Sequence, residues 1–460
     1  MSVDAVLTAA EAARTPMRRA TPERRAAWLD AVAAALEAAS AELTDLAAGE
    51  THLPLPRLTG ELKRTTFQAR LFGQELRSGE LLQVRVDPAD PDYGMGPRPD
   101  LRRTVVPIGP VLVFAASNFP FAFSVFGGDT VSALAAGCPV VVKAHPGHPE
   151  LSRRTADLVV GALAGAGAPA GAFALIEGVE PSLVALRDPR IKAVGFTGST
   201  KGGRALFDIA ASRPEPIPFY GELGSVNPVV VTPAAWAERG AGIVQGWVGS
   251  LTLGAGQFCT NPGVILVPDP DGFVNAVDLP VPGRMLTAGL EEGFAEAVRQ
   301  VGRHPGVRAA VDGPANEQGV HASVLSIDAA DVLADPAVLE VEMFGPAGLV
   351  VGYASQDELL AVLRRMPGQL TGTIQGHSSG TDPLAVEVAD ALTETAGRIV
   401  YNDWPTGVTV SGAQQHGGPY PATTAPTSTS VGLAAISRFQ RPVAFQSAPA
   451  ALLPVELRDR

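Results

Sequence analysis

With 460 residues, 46% of them hydrophobic and 18% charged, the chain can bury large cores, which excludes a disordered protein and leads us to expect two or three domains. Its net charge of −12 carries no basic stripe, so nucleic acid is excluded as an expected partner. Two cysteines, Cys138 and Cys259, exclude a secreted disulfide scaffold, and the seven histidines show no metal-ligand spacing, so no metal is expected.

Residues 1–50 read as one or two amphipathic helices without the basic start and apolar run of a signal peptide, and a cytoplasmic location is expected. Helical periodicity covers 23–78, including Arg64-Thr-Thr-Phe-Gln68-Ala-Arg70. A short strand at 82–86 is followed by a loop rich in Pro, Asp and Gly to 100, then a strand at 101–106. Residues 111–128 are eighteen without a formal charge, close to the length of a membrane span. Ser117, Asn118, Pro120 and Ser124 make them read instead as a buried strand running through a loop into a helix, so no membrane partner is expected. Strands at 111–116, 140–143, 173–176 and 192–197 alternate with helices at 127–136, 152–164 and 181–186. Apolar strands alternating with helices imply a parallel sheet covered on both faces, the doubly wound arrangement that binds nucleotides at its carboxyl edge. The alternation resumes at 227–231, 263–267, 348–351 and 398–401 as a second α/β domain. Residues 420–446 are poor in charge and cannot form a core alone; pairing with strand 82–86 or with another subunit would satisfy them.

Several short segments carry chemistry. Gly254-Ala-Gly-Gln-Phe-Cys259 sets a cysteine among small residues in a loop or helix start, where backbone amides can lower a thiol's pKa. A lone cysteine also packs as a small apolar side chain, the reading that suits Cys138, and for Cys259 alone the two are evenly matched. Phe219-Tyr-Gly-Glu222-Leu-Gly holds a carboxylate between an apolar strand and glycines; burial without a partner would raise its pKa, as suits a general base, although strand-end glutamates are commonly surface residues. Asn118 follows the first parallel strand, where its amide can donate to an oxyanion or simply satisfy a turn. Gly198, Ser199 and Gly203 follow a strand and open a helix, as a pyrophosphate site does, without the usual dinucleotide glycine pattern. Lys143, one of four lysines, ends a strand where a ribose or phosphate would lie. His145-Pro-Gly-His148 just beyond reads as a loop.

Taken in order, Asn118-Phe-Pro, Lys143, Gly198-Ser199-Thr, Glu222-Leu-Gly, Cys259 and Glu342-Met-Phe344-Gly-Pro resemble the aldehyde dehydrogenase superfamily across nearly the whole chain. Longer stretches, including Phe123-Ser-Val-Phe-Gly-Gly-Asp-Thr130, Asn402-Asp-Trp-Pro-Thr-Gly-Val408 and Gly418-Pro-Tyr-Pro-Ala-Thr423, are similar to its α-ketoglutaric (2,5-dioxopentanoate) semialdehyde dehydrogenase branch. The resemblance implies an α/β fold with a dinucleotide-binding domain (1–80 and 105–222), a catalytic domain (223–415) and bridging strands for oligomerisation (81–104 and 416–450). It implies that Cys259 attacks the aldehyde, Asn118 and the Cys259 amide hold the oxyanion, and Glu222 activates the water that releases the acid. Ser117, Lys143, His145, Gly198, Ser199, Gly203, Glu342 and Phe344 would bind the dinucleotide.

Pro146 stands where members preferring NAD often carry glutamate, so NADP is expected, with NAD possible. Ser117 replaces a common tryptophan, and the segment 268–285 looks shortened by a helix. By the same resemblance Arg64, Gln68 and Arg70 border the substrate entrance, where a cation would suit 2-oxoglutarate semialdehyde; a solvated helix face is the alternative reading. A homodimer or homotetramer is expected. The rival activities are a dehydrogenase for broad or fatty aldehydes, a cysteine hydrolase or acyl transferase, and a catalytically silent binding protein. The hydrolase needs a histidine paired with Cys259, for which His304, His321 and His377 are candidates.

Overall fold

The computed structural model describes residues 1–458. Helices α1 (Val3–Arg18), α2 (Pro22–Ala38), α3 (Ser40–Thr51) and α4 (Leu55–Ser78) open the chain. Ser2 and Thr21 cap the first two with side-chain oxygens, and Gly79, at φ 82°, ends α4 in the left-handed conformation. Strands β1 (Arg85–Asp87) and β2 (Leu101–Pro107) follow.

The first large sheet comprises β3 (Val111–Phe114), α5 (Gly128–Ala136), β4 (Val140–Lys143), α6 (Pro149–Gly165), β5 (Phe173–Ile176), α7 (Val179–Arg187), β6 (Ala193–Thr197), α8 (Thr200–Ala211) and β7 (Phe219–Glu222). Its five strands are all parallel in the order β5-β4-β3-β6-β7. The apolar runs Val111–Phe114 and Val140–Val142 are buried, with helices α2, α5 and α6 sharing the core with Trp28, Leu29 and Phe72. The strand order reverses at β3, so a crevice opens at the carboxyl edge, into which Ser117, Lys143, Gly198 and Glu222 fall.

The second sheet holds β8 (Val229–Val231), α9 (Pro233–Thr252), β9 (Val264–Val267), α10 (Pro270–Asn275), α11 (Ala288–Gly302), β10 (Arg308–Ala315), β11 (His321–Asp328), α12 (Ala329–Ala334), β12 (Ala347–Gly352), α13 (Gln356–Leu363), β13 (Gln369–Gln375), α14 (Pro383–Thr393) and β14 (Ala396–Tyr401). Its order is β10-β11-β12-β9-β8-β13-β14, parallel except for β10. The segment 268–285 contains only the six-residue α10.

The C-terminal strand β15 (Gln440–Gln446) departs from expectation. It pairs antiparallel with β2, from Gln440 opposite Pro107 to Gln446 opposite Leu101, while β1 takes the other edge of β2. The predicted strand 82–86 is a poor partner because Glu80–Leu82 form a 3₁₀ turn and only Arg85–Asp87 are extended. A buried ion pair anchors the turn before β15: Arg438 Nη2 lies 2.6 Å from Asp129 Oδ1 on α5. Among the described residues no helix is long and apolar enough to cross a membrane.

Candidate active site

Cys259 sits in a loop between α9 and β9, not at a helix start. Three successive residues, Gly254, Ala255 and Gly256, adopt left-handed φ of 58°, 56° and 67° and turn the chain toward it. At Gly256 a Cβ would lie 2.1 Å from the Gly345 carbonyl, so only glycine lets the loop pass this close to residues 342–346. Asn227 Nδ2 donates to the carbonyls of Cys259 (2.8 Å) and Asn261 (2.9 Å), and Asn261 Nδ2 donates to Gly345 O (3.1 Å). Gln369 on β13 steadies Asn227 in turn by accepting the N–H groups of Val226 and Asn227. Cys259 is held by a polar lattice reaching into the second sheet.

The thiol is half-buried, and burial followed by the nearby Glu222 charge pushes its pKa well above the ordinary value. The lowering that a helix start would give is absent. Glu222, at the end of β7, is buried but not without partners, which corrects the sequence expectation. His416 Nε2 lies 2.9 Å from its Oε1, and the Ser430 hydroxyl donates to its Oε2. Burial alone would raise this carboxyl; His416, Ser430 and the Cys259 thiol outweigh it and hold it below the usual glutamate value.

His416 and Ser430 were not singled out from the sequence. They reach Glu222 because residues 416–430 run along the end of β7, where Leu223 N–H bonds Ala422 O and Gly221 N–H bonds Thr424 Oγ1. None of the three expected histidines is near: His304 bonds the Asp335 carbonyl, His321 lies beside Asp312, and His377 bonds Ser379. His416 Nε2 is also 3.5 Å from Cys259 Sγ. A carboxylate only accepts, so the bond to Glu222 puts the proton on Nε2 and leaves no lone pair there for the thiol. Nδ1 is buried without a partner. A cysteine hydrolase needs its imidazole to take the thiol proton on one nitrogen while a carboxylate orients the other, and this histidine offers the same nitrogen to both. The ligand atoms of Glu222, Cys259 and His416 all lie within 4.8 Å of one another, a grouping whose composition would also suit a thiophilic cation.

Asn118 meets the nucleophile loop directly: its Nδ2 donates to Gln257 O at 3.1 Å, leaving its second amide hydrogen for a substrate oxygen. Arg57 Nη2 bonds the Asn118 carbonyl at 2.7 Å, and its guanidinium rests on the rings of Phe119 and Phe258. A cavity of about 560 Å³ leads to Cys259, lined by Phe119, Phe123, Phe258, Arg64, Arg398 and Trp404, with the Arg64 guanidinium over the Phe123 ring.

The expected dinucleotide residues lie around the crevice of the first sheet. Ser199 caps α8, accepting Gly202 N–H at 3.2 Å, and the first turn of α8 carries no acidic residue. That leaves the helix start open to an anion. Gly198 donates to Glu222 O at 3.1 Å, and at Gly203 a Cβ would lie 2.1 Å from Leu223 Cδ2, so α8 approaches the sheet closely. Lys143 is half-buried at the end of β4, and desolvation alone shifts it, downward. His145 is pushed down to about 3 by burial and neighbouring cations, so its ring is neutral; its Nδ1 accepts Gly147 N–H. His148 Nε2 bonds Ala116 O at 3.0 Å and braces the loop that carries Ser117. Burial pushes Glu342 up to about 8, and Phe344 shares a small recess with it. The open helix start, the unpaired lysine and the glycine-permitted close packing fit a dinucleotide.

The three proposed substrate residues separate. Arg64 lines the cavity. Gln68 is buried one turn on, beside Gly128 at the start of α5, away from the cavity. Arg70 is exposed and paired with Glu37, because the helix has turned it to the outer surface. Arg398 of β14 lines the cavity and was not anticipated.

Fold and site together fit a dinucleotide-using oxidoreductase, and the chain belongs to the aldehyde dehydrogenase family, whose pattern matches residues 1–276. Two curated relatives cover nearly all of it. The chain is 46% identical to alpha-ketoglutaric semialdehyde dehydrogenase 2 of Azospirillum brasilense, over 95% of this chain and 85% of that protein. It is 42% identical to alpha-ketoglutaric semialdehyde dehydrogenase of Acinetobacter baylyi, over 99% and 88%. Among solved structures, succinic semialdehyde dehydrogenase from Streptococcus pyogenes in complex with NADP+ superposes with a TM-score of 0.79 at 19% identity, covering 96% of this chain and 94% of that one. A bifunctional proline utilization A protein matches with a TM-score of 0.80 at 24% identity, covering 97% of this chain and 45% of that one. These structures share the fold.

Proposed function

We propose that the protein oxidises 2-oxoglutarate semialdehyde to 2-oxoglutarate with NAD(P), through an acyl group carried on Cys259. The observation that supports this most is the meeting of Cys259, Glu222 and Asn118 at the inner end of an open cavity, beside the carboxyl edge of a nucleotide-binding sheet. The curated relatives' names supply the substrate.

The geometry supports one division of labour. Glu222, kept ionised by His416 and Ser430, takes the thiol proton as the sulfur bonds to the aldehyde carbon. The free amide hydrogen of Asn118 and the Cys259 N–H steady the oxygen that gains charge. A bound nicotinamide supplies the two-electron acceptor for the oxidation. Glu222 releases that proton to solvent, then takes one from water as the water attacks the acyl carbon and passes it to the departing sulfur, so the acid leaves with Cys259 restored as a thiol. Ser199 and the α8 amides would hold the pyrophosphate, and Lys143 and Glu342 the two riboses.

The cofactor reading is NADP. Lys143 is free of a carboxylate partner, Pro146 brings no negative charge, and the neutral His145 can donate to a 2′-phosphate without opposing it. A kcat/KM for NADP at least equal to that for NAD is expected, and strong NAD preference would contradict it. The unpaired cysteines suit a reducing cytoplasm, and the small sheet β1-β2-β15 suits a dimer or dimer of dimers.

The deciding assay follows reduced-nicotinamide absorbance with 2-oxoglutarate semialdehyde, succinate semialdehyde and long aliphatic aldehydes. Cys259→Ala should lower kcat by about 10,000-fold or more. Reduction surviving in that variant, or turnover without dinucleotide, would defeat the proposal.

A further inference from the structure

The cavity before Cys259 contains two guanidinium groups and no carboxylate bonded to either. Arg398 Nη1 and Nη2 donate to the carbonyls of Gly407 (3.1 Å) and Pro405 (2.5 Å), while its Nε is buried without a partner. Arg64 Nε and Nη2 reach the Val408 carbonyl at 3.4 Å, and its Nη1 is likewise buried and unpartnered. Both side chains therefore hang on one loop, residues 405–408, from opposite elements, α4 and β14. Thr260, next to the nucleophile and lining the same cavity, has a buried hydroxyl that makes no hydrogen bond.

The nearby acids act on this pair only through space, and neither is bonded to it. Glu61, one turn before Arg64, is buried and spends Oε1 on the N–H groups of Phe121 and Ala122. Asp403 is exposed and bonds the Trp404 N–H. Burial lowers the pKa of both arginines, outweighing the opposing charges of Glu61 near Arg64 and Asp403 near Arg398. Buried charges are ordinarily paired, and unused buried donors are rare. Three such donors around one cavity define a place for an anion with several acceptor oxygens.

Building on the proposed oxidation at Cys259, we infer that Arg398, acting with Arg64, is the specificity-determining residue that binds the α-oxo-carboxylate end of the substrate while its aldehyde lies at the thiol. A planar guanidinium matches a carboxylate in a way that an ammonium or an amide does not, and the adjacent oxo group adds an acceptor for Arg64 or Thr260. The aromatic flank formed by Phe119, Phe123 and Phe258 covers the methylene carbons between the two ends.

The test measures kcat/KM for 2-oxoglutarate semialdehyde and for an uncharged aldehyde of similar length, in the wild type, Arg398→Gln and Arg398→Lys. The charged-to-uncharged ratio should fall by about 10–100-fold in Arg398→Gln and by less in Arg398→Lys. A ratio unchanged within twofold in Arg398→Gln overturns the inference. Should the variants fail to fold, inhibition of the wild type serves: 2-oxoglutarate should compete with the uncharged aldehyde, and its neutral diester should not. Equal inhibition by the two overturns the inference. A wild type that oxidises uncharged aldehydes as well as charged ones removes the clamp alone, whereas a wild type that reduces no dinucleotide with any aldehyde removes the underlying oxidation as well.

Discussion

In the proposed reaction Glu222 must be ionised to take a proton from Cys259 and ionised again to activate water, yet its burial favours the neutral acid. His416 and Ser430 resolve that conflict through hydrogen bonds to the two carboxylate oxygens. The sign of the pH effect follows. With its pKa held low, Glu222 stays ionised below the usual carboxylate range, while the raised thiol makes activity climb toward alkaline pH. His416→Ala removes the stronger partner, so the acid limb of kcat/KM should move to higher pH and kcat should drop by about 100-fold. His416→Gln, which can still donate, should recover part of both; identical pH profiles in all three proteins would show that His416 plays no such role. At this scale, legibility tracks local pattern. Cys259, Glu222 and Asn118 stand in short glycine-, proline- and phenylalanine-marked segments that can be read in order. His416 lies in Gln414-Gln415-His416-Gly417-Gly418, a polar run with no periodicity, and only the closed fold brings it to Glu222.

Helix α8 shows how an element positions chemistry without touching it. Gly203 lets the helix rest on Leu223, the residue after Glu222, so the proposed phosphate-binding end of α8 and the proposed general base share one support. Gly203→Ala must displace the helix or the leucine. Stability should fall by about 1–3 kcal/mol, and NADPH affinity by about 10-fold in a fluorescence titration. Unaltered affinity would uncouple the two. The apolar strands β3 and β4 were legible because burial on both faces demands continuous hydrophobic runs. Strand β13 was not, since Gln369-Leu-Thr-Gly-Thr-Ile-Gln reads as polar surface although every residue in it is buried. Its amides and hydroxyls serve as internal partners, among them the Gln369 contact that steadies Asn227. Arg70 failed for a different reason: the family resemblance placed its helix at the entrance, but six residues beyond Arg64 a helix presents another face.

Across the whole molecule, the terminal segment ties the two large sheets together. Arg438 and Asp129 form an ion pair with side chains only 2% and 11% exposed, and the guanidinium also lies over the Phe439 ring. Breaking one side strands a buried charge. Arg438→Ala should therefore destabilise the protein by about 3–5 kcal/mol in urea unfolding, and a loss below about 1 kcal/mol would show that water reaches Asp129. Composition foretold that residues 420–446 need outside support, but not which strand provides it, because register is decided by backbone geometry that hydrophobicity does not encode. The order of Glu222, Cys259, His416 and Ser430 along the chain has a consequence for biosynthesis. A ribosome will have extruded Cys259, Glu222 and the entire first sheet before either residue is translated, so the nascent polypeptide carries its nucleophile without the groups that set its base. Residues 416–430 complete the surroundings of Glu222, and a message truncated ahead of codon 416 would lack both partners of that carboxylate together with the Arg438 anchor and strand β15.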